Sequence, residues 1–299
     1  MVTSLKKYFL IVIRAEGFNT FCTLSRASFR AGLLILLSIL AAGCSNDIFG
    51  IFVSGDFIKR WNARNTFNFL IKDNGRDWTS ISPGDEYSFI VITDIHIHNG
   101  NAFGLERLKD VVDNDDNIKF AVFNGDITQN GKEEDIKTFI QIAESLGIPC
   151  YPVVGNHDVY FGNWPVWERF IGSTCYSIDA GSAVLLIMDS ANAFFGARQL
   201  DWLEEELNKA EGRVFIFSHA NLFVESISTQ QFTDIRERAR ITSLLKGRCD
   251  MFFTGHSHRR FSKEIGGVTY INIEDFRDNA VYCQVWVSQD SIRWEFKRL

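Results

Sequence analysis

The sequence predicts an α/β fold. Three observations carry that prediction: strand-length apolar runs recur along the chain, amphipathic helical patterns separate several of them, and polar residues cluster where the runs end. The first run covers residues 87–93, and others follow at 118–124, 149–154, 183–189, 213–218 and 250–254. Within 131–147, Ile136, Phe139, Ile140, Ala143 and Leu146 fall on one face at helical spacing. Segments 197–210 and 232–245 read the same way, with charges opposite. Past residue 260 the helical patterns stop, and β-rich segments follow at 268–273, 281–287 and 292–296. No internal repeat appears, which excludes a solenoid.

The 299 residues suit one large domain or two small ones. At 46% hydrophobic and 23% charged residues, the chain can bury a core and has no need to be disordered. Four prolines and 22 glycines exclude collagen-like or low-complexity character. Lys6, Lys7, Arg14, Arg26 and Arg30, against Glu16 alone, lie in the first 43 residues, so the rest is more acidic than the overall net charge of −6. A nucleic-acid polymer is therefore not expected as a partner. A small anionic substrate fits such a chain if a metal supplies local positive charge.

Residues 1–43 read as a signal peptide. Their basic segment leads into the apolar run 31–42, too short for the roughly 20 residues that span a bilayer. Leu40-Ala41-Ala42-Gly43-Cys44 resembles the bacterial lipoprotein lipobox, which implies cleavage before Cys44 and a lipid on its thiol. The expected location is outside the cytoplasm, in a bacterial cell envelope, anchored to a membrane. Residues 44–86 lack clear periodicity and carry the turn signals Asp73-Asn74-Gly75 and Ser82-Pro83-Gly84. They read as a spacer and an N-terminal extension packed on the domain at 87–299. Cys22 would be removed with the signal, while Cys150, Cys175, Cys249 and Cys283 lie in apolar surroundings. No CxxC pair occurs, which leaves a redox motif or zinc ribbon unsupported.

Chemistry concentrates at the ends of the strand-like runs. In order come Thr93-Asp94-Ile95-His96, Asn124-Gly125-Asp126, Gly155-Asn156-His157-Asp158, Ser218-His219 and Gly255-His256-Ser257-His258. Ligands of open α/β sheets bind beyond the carboxyl ends of strands, so five strand ends would deliver these side chains to one place. Continued extended geometry would let Asp94 with His96, and His256 with His258, each reach one ion. Glycines 125, 155 and 255 would allow the sharp turns. A D-x-H triplet or one strand-end histidine is commonly structural. Five such pieces in sequence are not.

The ordered set DxH, GD, GNHD, H and GHxH resembles the calcineurin-like metallophosphoesterases from about residue 87 to the C-terminus. The resemblance implies a four-layer αββα sandwich of two mixed β-sheets flanked by helices. It implies one metal held by Asp94, His96, Asp126 and His258, and another by Asp126, Asn156, His219 and His256, with Asp126 bridging. His157 would stand near the leaving group, and Asp158 would orient its ring. Many relatives continue the fourth motif as His-x-Pro, where this chain has Asn221.

The residue chemistry agrees. Imidazole and carboxylate ligands without thiolates suit two divalent or mixed-valence ions of Mn, Fe, Zn or Co. Two ions about 3.5–4 Å apart lower the pKa of a bridging water and clamp an in-line displacement, so attack by a metal-bridging hydroxide is expected. The ions outweigh Asp94, Asp126 and one hydroxide, leaving a net positive site for a small phosphodiester or phosphomonoester. A non-catalytic, metal-containing surface binding lipoprotein and a protein phosphatase are the alternatives. His98 reads as a solvated loop residue, and Arg259 and Arg260 read equally as phosphate ligands or a solvated pair. Phe161, Trp164, Trp167 and Phe170, and likewise Phe194 and Phe195, are candidates for a lid or specificity wall or for simple packing. The stretch 125–132 misses P-loop spacing by one residue, 113–116 lacks the glycine and glutamate of an EF-hand, and no G-x-S-x-G occurs.

Overall fold

In a computed structural model of the chain, residues 55–72, 75–223 and 231–299 are described. The signal segment, Cys22 and Cys44 lie outside them. The apolar runs become strands at nearly their expected bounds: β3 (Tyr87–Ile92), β4 (Ile118–Asn124), β5 (Cys150–Val153), β7 (Ala183–Ile187), β8 (Arg213–Phe217) and β9 (Met251–Thr254). A short hairpin, β1 (Ile71–Lys72) and β2 (Arg76–Asp77), precedes them. The chain ends through β11 (Val268–Asn272), β12 (Val281–Val287) and β13 (Ile292–Arg298). Two edge strands escaped the pattern: β6 (Tyr176–Asp179) and β10 (Phe261–Ile265). β10 carries Ser262, Lys263 and Glu264 and is exposed or only half-buried throughout, so it offers no apolar run to read.

Five strands pair in the order β13-β12-β3-β4-β5, with β3, β4 and β5 parallel and β12 and β13 antiparallel. Six pair as β10-β11-β9-β8-β7-β6, parallel in the middle and antiparallel at both edges. Side chains alternate faces along each strand. Phe89 on β3 stacks on Phe120 of β4 at 4.7 Å and meets Phe215, Phe217 and Phe253 of the other sheet edge-on. That is the interior between the sheets. Phe123, on the opposite face of β4, packs on Phe139 of helix α3 (Glu133–Ser145). On the outer face of the six-stranded sheet, Leu186, Ile216 and Phe252 share a cluster with Leu200 and Leu203 of α5 (Gly196–Lys209) and Ile241 of α6 (Ile235–Leu245). Helix, sheet, sheet, helix is the expected four-layer sandwich of two mixed sheets.

Shorter helices were not legible: α1 (Phe57–Asn62), α2 (Leu108–Asp113), α4 (Trp164–Phe170) and α7 (Phe276–Asn279), the last correcting the expectation that helices stop at 260. The extension is built into the domain. Phe69 and Leu70 are buried in the main core. Arg60, 1% exposed, reaches from α1 to the segment after β7, donating Nε to Asp189 Oδ2 at 2.6 Å and Nη2 to Asn192. A buried ion pair of this kind fixes one arrangement more than it stabilises. Cys150, Cys175, Cys249 and Cys283 are free and buried. Burial pushes their thiols up, away from reactivity. Among the described residues no helix is long and apolar enough to cross a membrane.

Candidate metal centre

Strand β3 ends at Ile92, and Asp94 and His96 follow in left-handed backbone, with φ of 54° and 53°. Asp126 (49°), His256 (66°) and His258 (52°) share that conformation. Non-glycine residues held there cost of order 1–3 kcal/mol each and persist only where their surroundings over-determine them. The expected extended i, i+2 geometry is therefore corrected: left-handed turns, not strand alternation, bring Asp94 and His96 together. The turns also separate His256 from His258, which join different groups. All three glycines are required for closeness, and Gly125 also has positive φ, its missing Cβ leaving room for the His219 ring. A Cβ at 155 would overlap Asp126, and one at 255 would overlap Thr93 and Asp94.

Among the described residues three ligand groups result, each with donor atoms within 4.8 Å of one another: Asp94, His96 and His258; Asp126, His219 and His256; and His96, Asp126 and His157. His258 Nε2 lies 3.2 Å from Asp94 Oδ1 and 3.4 Å from His96 Nε2. A tetrahedral ion with bonds of about 2.0–2.2 Å separates its ligands by roughly 3.3–3.6 Å. Asp126 Oδ2 is 3.1 Å from His219 Nε2 and 3.9 Å from both His96 Nε2 and His157 Nε2, so it faces both halves.

The surrounding hydrogen bonds turn these atoms inward. Asp94 Oδ2 accepts from Thr93 Oγ1 and His256 N, each at 2.8 Å, while Oδ1 is buried with no hydrogen bond. Asp126 Oδ1 accepts from His157 N at 2.9 Å. His219 Nδ1 meets Asn124 O at 3.0 Å, leaving the buried Nε2 without a hydrogen bond. Asn156 is buried, and its Nδ2 donates to Tyr160 Oη at 2.6 Å, so its amide nitrogen is taken up by the tyrosine. Orphaned carboxylate and imidazole atoms, with the other ring nitrogen tied to a carbonyl, are what a divalent ion requires of its ligands. The donor set fits the metals expected.

Electrostatics agree. Burial pushes Asp94 and Asp126 up, but His219 foremost outweighs it and holds both carboxyls well below their usual range. Desolvation takes His96 down to about 4 and His256 to about 3, leaving both neutral. Burial also opposes charge on His219, yet Asp126 and Asp94 raise it to about 9.

His157 departs from expectation in one respect. Its Nδ1 lies 2.8 Å from Gln129 O, and Asp158 does not touch the ring. Asp158 instead accepts from Thr128 N and Oγ1 and from Gly155 N at 2.8–2.9 Å, pinning the Asp126 loop to the GNHD loop. Burial, then the charge of Asp126, push its carboxyl up to about 7. Asn221 is buried and donates to Asn272 Oδ1 at 2.7 Å, and Asn272 donates to Ser257 Oγ at 2.8 Å. Hydrogen bonds thus tie the fourth and fifth motifs together. His98 lies in a loop outside the ligand groups. Arg260 approaches Glu274 at 3.7 Å, and Arg259 is exposed. Trp164, Trp167 and Phe195 are core residues, Phe170 and Phe194 are half-buried, and Phe161 is exposed.

The sequence profile of calcineurin-like phosphoesterases matches residues 87–260, more than half of the chain. The chain belongs to that family. Calcineurin-like phosphoesterases act on phosphoric ester bonds, and their fold usually binds two metal ions. A probable cyclic nucleotide phosphodiesterase of Fibrobacter succinogenes is 25% identical over 144 residues, 46% of this chain and 52% of that one. A probable glycerophosphodiester phosphodiesterase of Arcobacter nitrofigilis is 28% identical over 156 residues, 46% of this chain and 56% of its own. The chain thus spans about half the length of these curated relatives. Among solved structures, a dimetal phosphatase from Danio rerio superposes with TM-score 0.58 at 16% identity, over 70% of this chain and 95% of its own. A purple acid phosphatase from yellow lupin gives 0.55 at 13%, over 73% of this chain and 52% of its own. At such identities the likeness is one of fold.

Thr93, Asn124, Gln129, Tyr160 and Asn272 were not expected as parts of the site. Thr93 and Asn124 stand inside the recognised motifs, so position could have flagged them. Gln129, Tyr160 and Asn272 act through tertiary contacts that no spacing encodes.

Proposed function

We propose that the chain is an exported, lipid-anchored hydrolase of small phosphate esters, acting on phosphodiesters first and phosphomonoesters second. The signal at 1–43 and the anchor at Cys44 are part of this proposal. The observation that carries the catalytic reading is the convergence of Asp94, His96, Asp126, His219, His256 and His258 from separate strand ends, with buried ligand atoms left without hydrogen bonds. Asn156 joins them through its amide oxygen. These residues would hold two divalent ions, which would lower the pKa of a bound water and neutralise the charge of a phosphate ester.

The chain's own groups do the rest. Asp94 and Asp126 remain ionised without metal, so the ligand set is ready to bind. His157 donates Nδ1–H to Gln129 O, which directs Nε2 toward the site, where the imidazolium form would give its Nε2 proton to the departing oxygen and return to the neutral ring. Asp158 holds the loop on which His157 stands. The names of the matched relatives, both phosphodiesterases, favour diesters. The test compares bis-p-nitrophenyl phosphate with p-nitrophenyl phosphate on Mn²⁺-loaded protein. Faster diester hydrolysis is expected, and a strong monoester preference would reverse the order. Silence on both with metal bound would favour a non-catalytic surface binding lipoprotein. Selective hydrolysis of a phosphopeptide would favour a protein phosphatase.

A further inference from the structure

Beside the site, the segment Tyr160-Phe161-Gly162-Asn163 has no role described so far beyond the Tyr160 hydroxyl that accepts from Asn156. Asn163 N donates to Tyr160 O at 3.0 Å, closing a turn whose two central residues have φ of 56° (Phe161) and 79° (Gly162). Turns of that hand take Asn, Asp or Gly at the first central position, because other side chains are strained there. A phenylalanine in it is an outlier. Phe161 is 65% exposed, while Trp164 and Trp167 just beyond are buried.

Phe161 meets Tyr160 edge to face, with ring centroids 5.7 Å apart. Tyr160 lies over the His157 ring at 4.3 Å and 35°, and His157 stands edge-on to His96 at 4.6 Å. A ladder of four rings thus runs from a candidate metal ligand to solvent. It is fixed at both sides: Tyr160 Oη accepts from Asn156 Nδ2, and Asn163 Nδ2 donates to Asn130 O at 2.7 Å.

We propose that Tyr160 and Phe161 form the leaving-group subsite, and that it selects phosphate esters whose departing alcohol carries a planar aromatic group such as a nucleobase. This rests on the phosphoesterase reading, because His157 marks the side on which the alcohol leaves. A flat π surface stacks on exposed aromatic rings whatever its substituents, whereas glycerol or a bare sugar gains little there. Strain maintained at an exposed residue next to a reaction centre is a mark of function.

The test uses an ester pair that shares the leaving oxygen and differs in the base: adenosine 5′-monophosphate against ribose 5-phosphate. For the Mn²⁺-loaded protein, KM is measured by turnover and Kd by calorimetry. The base is expected to lower both by about tenfold. Phe161→Ala should bring the base-bearing to base-free ratio within about twofold, and Phe161→Trp should restore it. Phe161→Gly should lose the ratio yet raise Tm by about 2–4 °C as the turn relaxes. A wild-type ratio near one, or a ratio untouched by Phe161→Ala, overturns the subsite. If no ester is hydrolysed, the phosphoesterase reading falls and calorimetry still decides. A base-dependent Kd that Phe161→Ala removes supports the subsite, and equal binding overturns it.

Discussion

The interior between the sheets and the rim at their strand ends are built from the same strands in opposite ways. In the interior, Phe89, Phe120, Phe215, Phe217 and Phe253 interlock on extended backbone. A turn beyond β3 and β4, Asp94 and Asp126 are buried carboxylates in left-handed backbone, close enough to act on each other electrostatically. Asp94 Oδ1 and His219 Nε2 are buried there without hydrogen bonds. The interior stabilises the chain, and the rim gives part of that stability up to hold ligands in a geometry they would not adopt alone.

This contrast can be broken from either side. The largest effect belongs to the interior: Phe89→Ala should cost about 3–5 kcal/mol in denaturant unfolding, because a dry aromatic cluster cannot collapse around the gap. A loss under 1 kcal/mol would mean the sheets do not depend on that contact. At the rim the sign reverses on loading. Metal at 100 times its Kd should stabilise by about 2.7 kcal/mol, read as a Tm rise that a chelator removes. No rise would mean the orphaned atoms are not ligands.

A smaller effect is expected with pH. In the metal-free protein His219 is raised from 6.5 to about 9, with His258 also raised, and Asp158 is raised from 3.8 to about 7. A group raised by folding contributes stability that is full below its unfolded pKa and lost as pH climbs through the folded one. The Asp158 contribution is thus lost between 3.8 and about 7, and that of His219 between 6.5 and about 9. His96 and His256, lowered to about 4 and 3, act oppositely: their contribution is full above 6.5 and lost as pH falls. Tm of the metal-free protein should therefore fall from pH 7 to 9, and saturating metal, which displaces the His219 proton, should flatten that slope. A metal-free Tm that is level over this range would contradict the assigned charge on His219.

The interior was legible because burial writes itself into runs such as 118–124, whose bounds the structure reproduces. The side chains that converge at the rim were legible too, because five motifs end strands in order. Their backbone was not. An i, i+2 spacing is compatible with extended or left-handed geometry, and only the tertiary hydrogen bonds Asp94 N to Gly125 O and His96 N to Asp126 O decide. Asp158 misled for a related reason. Its neighbour in sequence is His157, but its partners, Thr128 and Gly155, are set by two loops meeting. Edge strand β10, short helix α4 and buried Arg60 likewise carry no periodic signal.

Asp126 faces both ligand groups, so one substitution there addresses the whole assignment. Metal content per chain and hydrolysis of bis-p-nitrophenyl phosphate would be measured together for the wild type and Asp126→Asn, with circular dichroism to establish the fold. Two ions per wild-type chain are expected, along with metal-dependent hydrolysis that falls by at least roughly a hundredfold in Asp126→Asn as metal is lost and the fold persists. Hydrolysis that survives the substitution, or that ignores metal in the wild type, would contradict a reaction centred between these residues.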